Sequence, residues 1–114
     1  MIKMSLQDLQ TQIDKFVNQF EVGYWPPLAM LGALVEEMGE ISRILNAKEG
    51  HKPMKHQVKS LDDLLTEEMG DVLFSIACLA NYYKIDMHTA LANTINKYNK
   101  RDGDRWLKKD QKED

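Results

Sequence analysis

The chain has 114 residues, 43% of them apolar and 29% charged, with a formal net charge of -3. That length suits one compact domain whose core is small enough for oligomerisation to add burial. The weak acidic balance disfavours a nucleic acid polymer as ligand but leaves small phosphorylated compounds open. No apolar run approaches transmembrane length, and the first residues lack a signal-peptide hydrophobic segment, so a soluble cytoplasmic protein without membrane attachment is expected.

Helical periodicity dominates the chain. Ser5 followed by Asp8 reads as an N-terminal cap, opening a helix in which Leu6, Leu9, Ile13, Phe16, Val17 and Phe20 recur at helical spacing. Gly23, Pro26 and Pro27 interrupt it, the prolines standing where a missing N–H is harmless to the next helix. That second helix is expected from Leu28 to about Ala47, with a broad apolar face of Met30, Leu31, Leu34, Met38, Ile41 and Leu45. Gly50 and Pro53 mark a polar connector from Glu49 to about Lys59.

A third helix is predicted from Ser60 to Tyr83. Its section from Val72 to Ala80 carries only Ser75 as a conventional polar residue, so burial around most of its circumference is expected, in a central or intersubunit position. The single cysteine, Cys78, lies in that run without a ligand set nearby and reads as a buried structural thiol. Asp86 caps a fourth helix with a packing stripe of Leu91, Ile95 and Tyr98, ending before Gly103. Trp106 suits C-terminal packing, and Lys108 to Asp114 reads as a flexible, solvated tail. The expectation is an all-α, four-helix bundle-like domain over residues 1–107, with 108–114 as tail.

The chemistry lies in one short word written twice, Glu36-Glu37-Met38-Gly39-Glu40 and Glu67-Glu68-Met69-Gly70-Asp71. At about 100° per residue, Glu37 points among the directions of Met30, Ile41 and Ile44, with Glu40 about 60° to one side. Asp71 shares the direction of Leu64, Cys78 and Tyr82, and Glu68 again stands about 60° away. Glu67 flanks Asp71 on its other side and is an alternative to Glu68. Glu36, nearer the polar boundary, suits a water-directing role more than direct ligation.

Four carboxylates converging at a packed interface repel one another and lose hydration unless a cation joins them. Glu37, Glu40, Glu68 and Asp71 form the preferred ligand quartet for Mg²⁺, with Mn²⁺ also compatible. His51, His56, His88 and Cys78 lack zinc-site spacing. The competing account is that paired acids on helices are simply solvated. Gly39 and Gly70 lower helix propensity by about 1 kcal/mol each relative to alanine, a cost compatible with close helix approach beside the acids.

On the fourth helix, Asn93, Lys97 and Lys100 share one face, with Asn96 nearby and Arg101 one step on. These groups can neutralise phosphate charge or orient a sugar hydroxyl, unless they form an ordinary wet helix surface. Trp25 suits two roles, stacking a base at a pocket mouth or packing the helix entrance.

At these residues the chain resembles the MazG-like nucleotide pyrophosphohydrolases, compact members of the all-α nucleoside triphosphate pyrophosphatase superfamily. The resemblance rests on Glu36-Glu37-x-x-Glu40, then Glu68-x-x-Asp71 on the next long helix, then the Asn93/Lys97 region. It spans roughly Leu28 to Arg101, with Tyr24-Trp25-Pro26-Pro27 also similar. It implies Mg²⁺-dependent hydrolysis of a nucleoside triphosphate between the α and β phosphates, giving the monophosphate and pyrophosphate.

The resemblance further implies that Glu37, Glu40, Glu68 and Asp71 are metal ligands, that Glu36 positions water or a second ion, and that Lys97 and Arg101 contact phosphate. It implies a homodimer or a homotetramer built from dimers, with the active-site cavity close to an intersubunit interface. Removal of noncanonical nucleotides is the role it points to. The alternative from another class is a catalytically weak nucleotide- or metal-binding regulatory module. A third is an interaction protein whose acidic words face water.

Overall fold

The computed structural model describes residues 3–54 and 60–109 as an all-α protein of four helices: α1, Leu6–Asn18; α2, Pro27–Lys48; α3, Leu61–Tyr82; and α4, Met87–Asp102. Each start has a local cause. The Ser5 hydroxyl accepts from the Asp8 N–H at 3.0 Å while the Ser5 N–H donates to Asp8 Oδ2 at 3.1 Å, a reciprocal capping box. Pro27 opens α2 without wasting a donor, and Ser60 caps α3 by accepting from the Asp63 N–H. Asp86 caps α4, accepting from the Thr89 N–H at 3.4 Å and the Thr89 hydroxyl at 2.6 Å.

The stops are equally local. Gly50 takes a φ of +76° just past α2, a conformation that costs glycine little. Beyond α3, Lys84 adopts a φ of +57°, and the Ile85 N–H closes the turn onto the Ala80 carbonyl at 2.8 Å. The connector expected to Lys59 and the tail expected to Asp114 fall partly on residues 55–59 and 110–114, outside the described residues.

α2 and α3 form the principal helix pair, α1 lies on α3, and α4 leans on α1. Lys48 ion-pairs with Asp62 at one end of the α2/α3 pair, Glu37 meets Glu68 and Asp71 near its middle, and Met30 shares a cavity with Cys78 at the other end. The two helices therefore run antiparallel. Among the described residues, Met30, Ile44, Ala77, Cys78 and Ala80 are the buried apolar ones, and burial pushes the Cys78 thiol pKa up.

The fold is open. Its Cα radius of gyration is 18.5 Å, against about 13 Å for a compact domain of this length. This openness bears on several expectations. No residue of α4 is buried, and Ile95, within the expected packing stripe, is 55% exposed, because no other helix covers that face. In the Val72 to Ala80 section, Ala77, Cys78 and Ala80 face α2 and α1 while Leu73 stands 58% exposed on the other side.

Gly39 and Gly70 do not mark a close helix approach within the protomer. A Cβ built on either meets nothing within 4 Å. Trp106 is also not packed on the body, being 66% exposed with the Arg105 guanidinium over its ring at 5.3 Å.

Candidate acidic site and its aromatic cavity

The antiparallel register of α2 and α3 brings the two acidic words face to face. Glu37, Glu68 and Asp71 each offer one carboxylate oxygen, all within 4.8 Å of one another, the two glutamates half-buried and the aspartate exposed. The neighbouring Glu37 carboxylate, which can share a proton with Glu68, raises the Glu68 pKa to about 7, assisted by burial and by the charges of Glu37, Asp71 and Glu40. Its Oε2 is buried with no hydrogen-bond partner. An orphaned buried oxygen beside two further carboxylates is a donor set that a hard divalent cation completes.

Glu40 lies one turn beyond Glu37 on α2 but is ion-paired with Arg43 and does not join the three converging oxygens. Glu36 is exposed on the flank of α2. Sequence reasoning overlooked Arg43, although the i, i+3 spacing that brings it to Glu40 was readable.

One helical turn from the acids is an apolar cavity of about 270 Å³. Ala33 precedes Glu37 by four residues and Ser75 follows Asp71 by four, so both helices continue the same groove from acids to cavity. Phe16, Phe20 and Phe74 build one wall, with Phe16 edge-on to Phe20 at 5.4 Å and to Phe74 at 6.1 Å between ring centroids. Tyr24 and Trp25 build another, and Trp25 remains half-exposed at the mouth. Burial first, then the hydrogen bond to Asp14, pushes the Tyr24 hydroxyl up to about 12.

Asn93, Asn96, Lys97, Lys100 and Arg101 come together as one shallow depression, lined by α4 alone. The Lys97 ammonium and the Arg101 guanidinium lie over the Tyr98 ring at 5.2 and 4.5 Å, and Arg101 also donates to Asp102 at 2.8 Å. No α2 or α3 residue lines this depression, so within the chain the basic group stands apart from the acidic trio. Among the described residues, no helix is long and apolar enough to cross a membrane.

The chain is thus an all-α domain in which two antiparallel acidic helices gather their carboxylates beside an aromatic cavity. Residues 26–106 match the MazG nucleotide pyrophosphohydrolase domain, and the chain belongs to that family. It is 41% identical over 107 residues to YpjD of Bacillus subtilis, covering 94% of this chain and 95% of that one. It is 29% identical over 102 residues to YvdC of the same organism, covering 86% and 96%.

The crystal structure of Bacillus subtilis YpjD superposes with a TM-score of 0.77 at 38% identity, over 87% of this chain and 99% of that one. A Bacillus-conserved MazG protein, described as a nucleotide pyrophosphohydrolase, gives 0.75 at 39% identity, over 91% and 99%.

Proposed function

We propose that this protein hydrolyses a nucleoside triphosphate between its α and β phosphates, with Mg²⁺ (or Mn²⁺) as cofactor, releasing the nucleoside monophosphate and pyrophosphate. The observation that carries the reading is the convergence of Glu37, Glu68 and Asp71 one helical turn from an aromatic cavity. Glu37, Glu68 and Asp71 would hold a cation that neutralises the phosphates, and the nucleoside would lie along the α2/α3 groove toward Trp25. Family membership supports the same class of reaction.

In this reading Glu37, Glu68 and Asp71 hold the ion, and Glu40 joins them by exchanging Arg43 for it. When bound, Mg²⁺ supplies charge neutralisation on the phosphate oxygens and lowers the cost of deprotonating water. Glu36 orients the attacking water. Its oxygen bonds to the α phosphorus, the bond from that phosphorus to the bridging oxygen breaks, and pyrophosphate leaves with the electron pair while a carboxylate takes the proton. Asn93, Lys97, Lys100 and Arg101 contact the phosphates and sugar.

Because those α4 residues stand apart from the acids in the protomer, we place the working site in a homodimer or homotetramer, close to an interface between copies. The exposed apolar residues of α2, α3 and α4 support such an assembly. We take residues 1–107 as a single domain, acting in the cytoplasm on free nucleotides in pool housecleaning.

The test is incubation with individual common and damaged nucleoside triphosphates and Mg²⁺, followed by separation of pyrophosphate from inorganic phosphate. Pyrophosphate with the monophosphate is expected, and turnover is lost in Glu37→Ala, Glu68→Ala and Asp71→Ala proteins of unchanged helicity. Diphosphate with inorganic phosphate overturns the cleavage position. Tight nucleotide binding without turnover leaves the regulatory binding module, a reading that the Glu40–Arg43 pair favours.

A further inference from the structure

Apart from the acidic site and the α4 depression, polar side chains also meet at the joint where α1, α3 and the start of α4 come together. Gln10, on the otherwise apolar stripe of α1, is only 8% exposed. Its Nε2 donates to Asn81 Oδ1 at 3.0 Å and to the Ile85 carbonyl at 2.9 Å, while its Oε1 accepts from the N–H of Met87, the first residue of α4, at 2.9 Å. Asn81 Nδ2 donates to the Gln10 carbonyl and to the Tyr24 hydroxyl, each at 3.0 Å. Tyr24 in turn donates to Asp14 Oδ1 at 2.7 Å.

This chain of hydrogen bonds reaches the cavity through Tyr24. The Tyr24 ring lines the aromatic wall, yet its hydroxyl is engaged both as donor and as acceptor inside the joint. Gly23, at a φ of +62°, turns the backbone immediately before it, and Pro26 stiffens the backbone two residues later. Between those two points Tyr24 is the side chain tied to both α1 and α3, through Asp14 and Asn81. Trp25 follows directly, at the cavity mouth.

We infer that Gln10, Asn81 and Asp14 are positioning residues that fix the Tyr24 ring and, through it, Trp25, as the wall against which the base end of a nucleotide packs. The inference rests on the proposed nucleotide substrate. The hydroxyl serves as an anchor and offers the base no hydrogen bond, so Tyr24 contributes a ring face whose value depends on where it is held. The joint touches none of the three converging carboxylates. Loosening it therefore weakens binding of the nucleoside in ground state and transition state alike, and leaves the phosphate end in place.

The experiment compares Tyr24→Phe, which keeps the ring, with wild type. Removing the hydroxyl deletes both its hydrogen bond to Asp14 and the one it accepts from Asn81, and a KM rise of about fivefold or more is expected, with kcat within about twofold. Inhibition by the nucleoside monophosphate weakens by the same factor, while inhibition by pyrophosphate, which has no base, is unchanged. Asp14→Asn retains an acceptor for the hydroxyl and keeps KM within about twofold of wild type. In a Trp106→Phe background, Tyr24→Phe lowers the fluorescence anisotropy of Trp25.

Equal losses in kcat and in pyrophosphate inhibition overturn the inference by making the joint a general support of the fold. Unchanged KM together with unchanged Trp25 anisotropy overturns it by removing the anchor. If Tyr24→Phe melts too early, Asp14→Ala, which leaves the tyrosine intact, gives the same readouts. Should wild type turn over no nucleoside triphosphate, the proposed function fails, and the anisotropy alone then decides whether the anchor exists.

Discussion

Glu68 of α3 sets its carboxyl against that of Glu37 on α2, with one Glu68 oxygen buried and unpartnered. Two acids from different helices thus share a position that is comfortable only with a proton or a cation between them.

The first prediction concerns that choice. The Glu68 carboxyl titrates at about 7 in the folded protein against 4.5 in its ordinary state. Between those values the folded state binds the extra proton, so without metal its contribution to stability is fully present below pH 4.5 and is lost as pH rises through about 7. Melting temperature in chelator should fall over that window. Saturating Mg²⁺ should flatten or reverse the trend, and Glu68→Gln, which needs neither proton nor ion, should remove both effects. Thermal melting at a series of pH values with and without Mg²⁺ checks this.

The proposed role of Glu40 as a ligand requires it to leave Arg43 for the ion. Their contact is a solvent-exposed pair within one helix, worth up to about 1 kcal/mol. Arg43→Ala should leave melting nearly unchanged yet tighten Mg²⁺ binding by up to about fivefold, since Glu40 no longer has to be released. Glu40→Ala should cancel that gain. Calorimetric titration of Mg²⁺ into the three proteins distinguishes the outcomes, and weaker binding in Arg43→Ala would sink the exchange.

The helix boundaries were legible because their causes act within three or four residues. Ser5 with Asp8, Pro26 with Pro27, Ser60 and Asp86 each act on the turn beside them. The meeting of Glu37 with Asp71 was legible for a different reason. Repeated acids on core-facing positions of two consecutive long helices can avoid mutual contact only by facing solvent. Gln10 and Asn81 were not legible, since their hydrogen bond spans 71 positions and two amides carry no periodic signal. Their one cue was Gln10 interrupting an apolar stripe. The exposure of Leu91 and Ile95 was hidden as well, because an amphipathic helix records that it has an apolar face and not which surface covers it.

The amide joint should dominate the stability of α1. Gln10→Ala leaves Asn81 Oδ1, the Ile85 carbonyl and the Met87 N–H without their partner. A loss of about 2 to 3 kcal/mol is expected, because buried polar groups without partners are more costly than the hydrogen bonds they replace. Leu9→Ala, one residue away but 41% exposed, should cost about 1 kcal/mol or less. Urea unfolding of both variants tests the ranking, and the reverse order would show that α1 is held by its apolar stripe.

The apolar face of α4 should be an association surface. Leu91 and Ile95 stand four residues apart, 53% and 55% exposed, and with Tyr98 they form a stripe that no other helix of the protomer buries. Leu73 and Met69 of α3 are half-exposed as well, and exposed apolar patches mark association surfaces. Wild type should therefore sediment as a dimer or larger at micromolar concentration. Ile95→Asp places a charge in that face and should weaken association by about tenfold or more. Since α4 carries Asn93, Lys97, Lys100 and Arg101, turnover should fall with dissociation and recover as protein concentration is raised. Sedimentation velocity and activity measured over one concentration series read both effects. An Ile95→Asp protein that is fully active while monomeric would show that each protomer completes its own site.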